Sequence, residues 1–134
     1  MTARIKILTV VYVCVLAVLI FLADKRATQY LFKPIRNLPY GDKIGHFLLM
    51  GFFSFLLNLA LSARSVKLWK FHYLLGSLIV LVVVTIEEVS QIFIRGRTFD
   101  WGDLAADFCG IFIFGEIARF LCNRKSKANF QEPT

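Results

Sequence analysis

Four long apolar runs, separated by short polar segments, account for most of the 134 residues. They cover approximately residues 5–23, 42–61, 71–94 and 103–121. Each is close to the length of about 20 mostly apolar residues that a helix needs to cross a bilayer. None shows the two-residue alternation of a barrel strand, and a helix satisfies its own backbone groups in lipid. The pattern predicts an all-α membrane protein, with four transmembrane helices in a small bundle and residues 122–134 as a polar tail.

The overall composition supports a membrane protein with a single domain. Hydrophobic residues make up 57% of the chain and its mean hydropathy is +0.65, which is too apolar for a soluble domain of this length. No linker rich in Ser, Gly or Pro divides the sequence, and no internal repeat is visible. Residues 1–134 are therefore predicted to form one transmembrane domain.

The first apolar run has two interpretations. Arg4 and Lys6 precede it, as a charged segment precedes the apolar core of a cleaved signal peptide. However, no small-x-small cleavage pattern follows Leu22, and the run is longer than the usual ~7–15 residues of a signal peptide core. A retained signal anchor is the prediction.

The basic residues predict the orientation and the partners. With four spans, the flanks on the side of the termini hold nine Lys and Arg residues, and the flanks on the other side hold seven. The positive-inside rule then places both termini in the cytoplasm. The net charge of +7 fits anionic membrane lipids rather than nucleic acid, because no basic residue lies in a soluble module with interleaved aromatic residues. The oligomeric state stays open.

Acidic residues concentrate where the apolar runs are interrupted. The stretch TIEEVSQIFIRGRTFDWGDLAADFCG (85–110) and the segment GDKIGHFLLMG (41–51) contain six of the nine acidic residues. Four spans place the first and third loops on the same membrane face, so these carboxylates gather at one end of the bundle. Asp42 and His46, like Asp103 and Asp107, are four residues apart and share a helix face.

This arrangement predicts a polar pocket that opens to one membrane surface. Charged side chains at the centre of a span cost on the order of 2.5–3.5 kcal/mol each, so something must offset the cost of Glu88 and its neighbours. The residues assigned to the pocket are Asp42, Lys43, His46, Glu88, Gln91, Arg97, Asp100, Asp103 and Asp107.

A purely structural interpretation of the same residues is an ion-pair network. In it, Arg95 or Arg97 reaches Glu88, Asp103 caps the fourth helix, and His46 donates a hydrogen bond. Separately, Asp42 is the candidate N-cap of the second helix. The surplus of carboxylates over basic residues favours a site for a cationic or polyhydroxylated group instead. Asp42, His46, Glu88 and Asp103 could also hold a divalent ion. A single histidine more often pairs with a carboxylate, so the sequence predicts no metal and no other cofactor.

Four motifs in this order and spacing resemble the VanZ-like family of small membrane proteins. They are DKIGHF (42–47), EVSQ (88–91), GR (96–97) and D-x-x-D-x-x-x-D-x-x-G (100–110), and the similarity spans most of the chain. The family pattern has Asn where this sequence has Asp107. The resemblance implies a multi-pass protein of the bacterial inner membrane that acts on the cell envelope, since the family's namesake is associated with resistance to the glycopeptide teicoplanin.

Three functions stay open at this point. The first is a protein that binds or modifies a lipid-linked or glycan component of the envelope. The second is an intramembrane enzyme with Glu88 or His46 as general base and Arg97 holding a phosphate or carboxylate. The third is a transporter subunit or assembly factor. No Ser nucleophile with a neighbouring base, Gly-rich phosphate loop or HExxH pattern supports the enzyme.

Overall fold

The computed structural model describes residues 3–24, 30, 33–94 and 99–130. These are mostly helical, which confirms the helical part of the predicted fold class. The elements in chain order are α1 (Ala3–Asp24), a short α2 (Lys33–Arg36), α3 (Gly41–Ala60), strands β1 (Ser65–Leu68) and β2 (Phe71–Leu74), α4 (Leu75–Ser90), which continues as a 3-10 turn (Gln91–Phe93), and α5 (Trp101–Phe130).

Three helical segments are long and apolar enough to cross a membrane: Ala3–Leu22, Gly41–Ala60 and Leu75–Phe93. Their outward faces carry exposed aliphatic side chains such as Val10, Val18 and Ile86. The fourth predicted span, within α5, contains Asp107 and the local ion pair between Glu116 and Arg119. Its higher charge distinguishes α5 from the other three segments.

A β-hairpin replaces the predicted start of the third helix at residue 71. Strand β1 pairs antiparallel with β2, from Ser65 opposite Leu74 to Leu68 opposite Phe71, and Trp69 turns the chain with a φ of 59°. Val66 faces Tyr73 across the ladder, a pairing of β-branched and aromatic side chains that suits a strand. The all-helical prediction was wrong here, because a continuous apolar run does not show where a helix begins.

The helix starts differ from the predicted caps. Tyr40, with a φ of 60°, precedes α3, so Asp42 lies in the first turn and does not cap the helix. At the start of α5, Asp100 Oδ1 accepts a hydrogen bond of 2.6 Å from the backbone N–H of Gly102. Asp100 therefore performs the capping role expected of Asp103. Helix α5 also continues to Phe130, through most of the predicted polar tail.

Helices α3 and α5 run parallel and pack unusually close. A Cβ atom built on Gly110 would lie 2.2 Å from the carbonyl oxygen of Phe47, and one on Gly51 would lie 2.7 Å from the ring of Phe114. The missing side chains let the two backbones approach, as small residues do at helix interfaces in membranes. This contact fixes the relative register of α3 and α5.

An apolar layer fills the middle of the bundle. Met50 of α3, Val80 and Val84 of α4, and Ile111 of α5 are all buried and in one cluster. Leu16 packs onto this layer from α1, and Tyr12 of α1 donates a 2.8 Å hydrogen bond to the carbonyl of Leu49. The layer separates two polar regions of the same three helices.

Candidate functional site

The first polar region is a charged cluster at the end of the bundle where α3 and α5 begin and α4 ends. Helix α3 contributes a lysine and a histidine, the end of α4 a glutamate and a glutamine, and the start of α5 three aspartates. The charged cluster consists of Lys43, His46, Glu88, Gln91, Asp100, Asp103 and Asp107. Seven of the nine predicted pocket residues thus meet in one place.

The innermost part of the charged cluster contains two carboxylates with no solvent exposure. Glu88 and Asp107 are both 0% exposed. His46 Nδ1 lies 3.1 Å and 3.2 Å from the two carboxylate oxygens of Asp107. One ligand atom each from His46, Glu88 and Asp107 lies within 4.8 Å of the others. Three helices therefore bring one imidazole and two carboxylates to a common point.

Hydrogen bonds hold the carboxylate of Glu88 in position. One oxygen accepts a 3.0 Å bond from the backbone N–H of Asp100, and the other accepts a 2.9 Å bond from Nε2 of Gln91. Gln91 also lies 3.1 Å from both oxygens of Glu87. Of the two adjacent glutamates, Glu88 is the fully buried one and Glu87 is half-buried.

Lys43 joins the outer carboxylates of the charged cluster. Its Nζ lies 3.0 Å from Asp100 Oδ2 and 3.1 Å from Asp103 Oδ1. The side chains of Lys43 and Asp100 are 35% and 47% exposed, so this pair forms the solvent-accessible rim. The ammonium of Lys43 and the N–H of Gly102 lower the pKa of Asp100 below its usual value.

Of the other two predicted pocket residues, one lies at the edge of the cluster and the other is not described. Asp42 is exposed on the first turn of α3 and is not among the cluster's hydrogen-bonded groups. Arg97 lies outside the described residues, as does Arg95, so the predicted contact of either arginine with Glu88 stays a prediction. Within the described part of the chain, the basic side chains of the cluster are Lys43 and His46.

The second polar region is a neutral cluster, formed by Ser54, Asn58 and Ser77, on the other side of the apolar layer. Ser54 Oγ donates a 2.9 Å hydrogen bond to the carbonyl of Ile111 and lies 3.1 Å from Ser77 Oγ. Asn58 Nδ2 donates to Ser77 Oγ at 2.9 Å. Sequence reasoning missed this cluster, although Ser54 and Asn58 are four residues apart on one face of α3.

A groove of about 260 Å³ lies at the same end of the bundle as the neutral cluster. Its walls come from the hairpin, α4 and α5, and include Phe71, Tyr73, Ser77, Phe112, Glu116 and Arg119. The groove is remote from Glu88 and Asp107, which belong to the opposite ends of α4 and of the packed part of α5. The groove is therefore separate from the charged cluster.

The charged cluster can perform three kinds of chemistry. Carboxylate oxygens accept hydrogen bonds from hydroxyl or ammonium groups, His46 paired with Asp107 can take or give a proton, and an imidazole with two carboxylates can hold a metal ion. No protein-family model matches the chain, and neither a curated protein nor a solved structure matches it.

Proposed function

We propose that the chain is a VanZ-like protein with four transmembrane helices, whose charged cluster binds the polar part of a lipid-linked or glycan component of the bacterial envelope. The burial of two carboxylates in one cluster beneath a partly exposed rim carries the proposal. Hydroxyl groups of a sugar match carboxylate acceptors, and the exposed rings of Tyr40 and Trp101 lie at the starts of α3 and α5, where a sugar face could pack.

The packing of α5 supports its role as a fourth span. Its contacts with α3 follow the chain in parallel, from Asp107 beside His46 to Gly115 near Asn58. Helix α3 is itself apolar enough to cross the membrane, so a helix packed along it over this length occupies the same depth. The buried side of α5 also shields Asp107 from lipid.

The orientation belongs to the same proposal. Both termini lie in the cytoplasm of a bacterial cell, and the charged cluster faces outward across the inner membrane. A cysteine introduced at Asn37, in a background without Cys14, Cys109 and Cys122, should react with a membrane-impermeant thiol reagent added to intact cells. Labelling that requires lysis would place the site on the cytoplasmic face.

Ligand binding is tested with a polyprenyl-diphosphate-linked disaccharide and the purified protein in lipid nanodiscs. The parent protein should bind it, and Glu88→Gln should weaken binding at least tenfold while the melting temperature stays within a few degrees. Glu116→Gln is the matched control, because Glu116 is an exposed acid on the opposite part of α5. The same polyprenyl diphosphate without sugar should bind poorly.

Two outcomes would contradict the proposed ligand. Equal affinity of the parent and Glu88→Gln proteins would remove the charged cluster from binding. Equal affinity for the lipid with and without its disaccharide would remove the glycan. In cells, Glu88→Gln at normal expression should also abolish any tolerance of teicoplanin that the parent protein confers.

The contact between His46 and Asp107 favours an intramembrane enzyme as the second candidate. A carboxylate beside an imidazole orients the ring and stabilises its protonated form, as in general acid–base sites. Mass spectrometry of the disaccharide lipid after incubation would detect a product, and His46→Gln should prevent its formation. Binding without any product would leave the site as a receptor.

A further inference from the structure

His46, Glu88 and Asp107 share a property that ligand binding by hydroxyl groups does not require. Each comes from a different helix, and their nitrogen and oxygen ligand atoms lie within 4.8 Å of one another. Zinc binds histidine nitrogen and carboxylate oxygen at about 2.0–2.2 Å, so ligand atoms around a tetrahedral ion are about 3.3 Å apart. The separation of 3.1 Å between His46 Nδ1 and Asp107 Oδ1 already matches this value. A ligand oxygen of Glu88 lies within 4.8 Å of the other two ligand atoms, so it would move closer on binding an ion.

The charge balance at this point calls for a cation. Glu88 and Asp107 are both fully buried, and within the described residues the single ion pair that either makes is that of Asp107 with His46. When ionised, these two carboxylates with one imidazole leave net negative charge among the described residues, in a medium of low dielectric. A divalent ion would neutralise both carboxylates at once.

The surroundings of the three groups resemble those of a built metal site. A metal-bound histidine usually presents its other ring nitrogen to a carboxylate, and ligating carboxylates are themselves hydrogen-bonded. With an ion on the Nδ1 side of His46, Nε2 faces Asp103 Oδ2, 3.8 Å away. Glu88 already accepts bonds from Gln91 and from the backbone of Asp100.

We propose that His46, Glu88 and Asp107 bind one divalent transition-metal ion, for which zinc is the best fit. One imidazole with two carboxylates is a mixed nitrogen and oxygen donor set, which suits zinc better than magnesium or calcium. Three protein ligands also leave a fourth position for water or a ligand group. The sequence alone assigned no metal, because a single histidine more often pairs with a carboxylate, and the divalent-ion set it considered held Asp42 and Asp103 in place of Asp107. The metal site does not depend on the proposed glycan ligand.

The test uses the full chain in nanodiscs with all three cysteines replaced by serine, because free thiols also bind zinc. After removal of metal by a chelator, the protein is titrated with Zn²⁺ alone by calorimetry and with Co²⁺ alone by visible absorption. We expect one ion per chain and the absorption bands of cobalt bound by nitrogen and oxygen. Asp107→Asn and His46→Gln should each weaken Zn²⁺ binding at least tenfold.

His72→Ala is the matched control, since His72 is the other histidine of the chain and lies exposed in the hairpin. It should bind Zn²⁺ like the parent. The metal site is refuted if the folded parent shows no saturable binding of one ion, or if Asp107→Asn and His46→Gln both retain the parent's affinity. Zinc binding without recognition of the disaccharide lipid would support the metal site and refute the proposed ligand. Recognition of the disaccharide lipid without zinc binding would support the ligand and refute the metal site.

Discussion

The charged and neutral clusters join the same three helices but differ in charge and in exposure to solvent. In the neutral cluster, two hydroxyls, the Asn58 amide nitrogen and a backbone carbonyl form short hydrogen bonds, and Ser54 and Asn58 are 0% exposed. Asn58 Oδ1 is buried there without a hydrogen-bond partner among the described residues. In the charged cluster, four carboxylates face one lysine and one histidine among the described residues. The surplus of carboxylates makes the charged cluster the better candidate for a ligand site, whereas the neutral cluster holds the helices together.

Helix packing reinforces this contrast. A Cβ atom on Gly76 would lie 2.5 Å from Asn58 Oδ1, and one on Gly115 would lie 2.4 Å from Ser77 Oγ. These glycines allow the neighbouring helices to pack closely around the neutral cluster, which leaves little space within it. The charged cluster instead ends at an exposed rim formed by Lys43 and Asp100. The apolar layer of Met50, Val80, Val84 and Ile111 lies between the two regions, which argues against a continuous polar path for a transporter.

The largest expected effect disrupts both regions by separating α3 from α5. In Gly110→Ala, the new Cβ would meet the carbonyl oxygen of Phe47 at 2.2 Å, and a backbone atom cannot move without shifting its helix. We expect a loss of about 1–3 kcal/mol in the free energy of unfolding, with weaker Zn²⁺ binding. Thermal unfolding in nanodiscs measures the first effect and calorimetry the second.

Gly45→Ala is the control for this prediction. Apart from the local backbone, no atom of the described residues lies within 4 Å of a Cβ built on Gly45, and alanine favours a helix over glycine by roughly 0.5–1 kcal/mol. This variant should therefore melt at or above the temperature of the parent. Equal melting temperatures for Gly110→Ala and the parent would show that the close contact between α3 and α5 is absent in the bilayer.

The next-largest effect tests whether the two clusters act independently, by removing one hydroxyl from the neutral cluster. Ser54→Ala deletes the donor to the carbonyl of Ile111 and the partner of Ser77. Interhelical hydrogen bonds in membranes contribute about 0.6–1.7 kcal/mol, so the free energy of unfolding should fall by about 1–2 kcal/mol. Binding of Zn²⁺ and of the disaccharide lipid should not change.

Thr85→Ala is the matched control, because Thr85 bonds to the carbonyl of Leu81 in its own helix and should affect stability little. A tenfold loss of ligand binding in Ser54→Ala, with Thr85→Ala normal, would contradict the separation of the two clusters. The neutral cluster would then belong to the binding site.

Asp107→Asn should have effects opposite to those of Ser54→Ala, with stability maintained and ligand binding lost. The amide keeps the shape of the side chain and can still bond to His46, while the cost of burying a carboxylate disappears. We expect stability to stay equal or rise by up to about 1 kcal/mol, and binding of Zn²⁺ and the disaccharide lipid to fall at least tenfold. Thermal unfolding in metal-free buffer measures the first quantity. A loss of about 3 kcal/mol or more would instead indicate a structural ion pair.

Charge and helical spacing carried the sequence predictions furthest. An acidic residue in an apolar run is conspicuous, and the positions of His46, Glu88 and Asp107 near helix ends of the same side were enough to bring them together. The hairpin was not predictable in the same way, since aromatic and β-branched residues such as Val66, Phe71 and Tyr73 also suit an apolar helix. The sequence also did not show which aspartate caps α5, because Asp100 and Asp103 lie within one turn of the helix start.

The neutral cluster shows a different limit of sequence reasoning. Serine and asparagine are ordinary residues at any helix interface, and nothing in the local pattern of Ser54 and Asn58 distinguishes a buried hydrogen-bonded pair from exposed polar positions. Their significance depends on Ser77, whose position relative to them is set by the packing of α4 against α3. The structure shows which residues of two helices meet, whereas the spacing of residues within one helix does not.

The smallest expected effect concerns the rim of the charged cluster. Asp100→Asn keeps an acceptor for the N–H of Gly102 but removes the charge that faces Lys43. Because this pair is partly exposed, its contribution is screened by solvent, and the melting temperature at pH 7 should fall by no more than about 2 °C.

Lys43 lowers the pKa of Asp100, so the ionised carboxylate stabilises the folded state above the ordinary Asp pKa of about 3.9. That contribution is lost as the pH falls through the lowered pKa of the folded state. The difference between the two proteins should therefore be constant from about pH 5 to pH 7 and shrink below pH 4. Melting curves across this range measure it, and a difference that grows on acidification would show that Lys43 and Asp100 are not paired in the membrane.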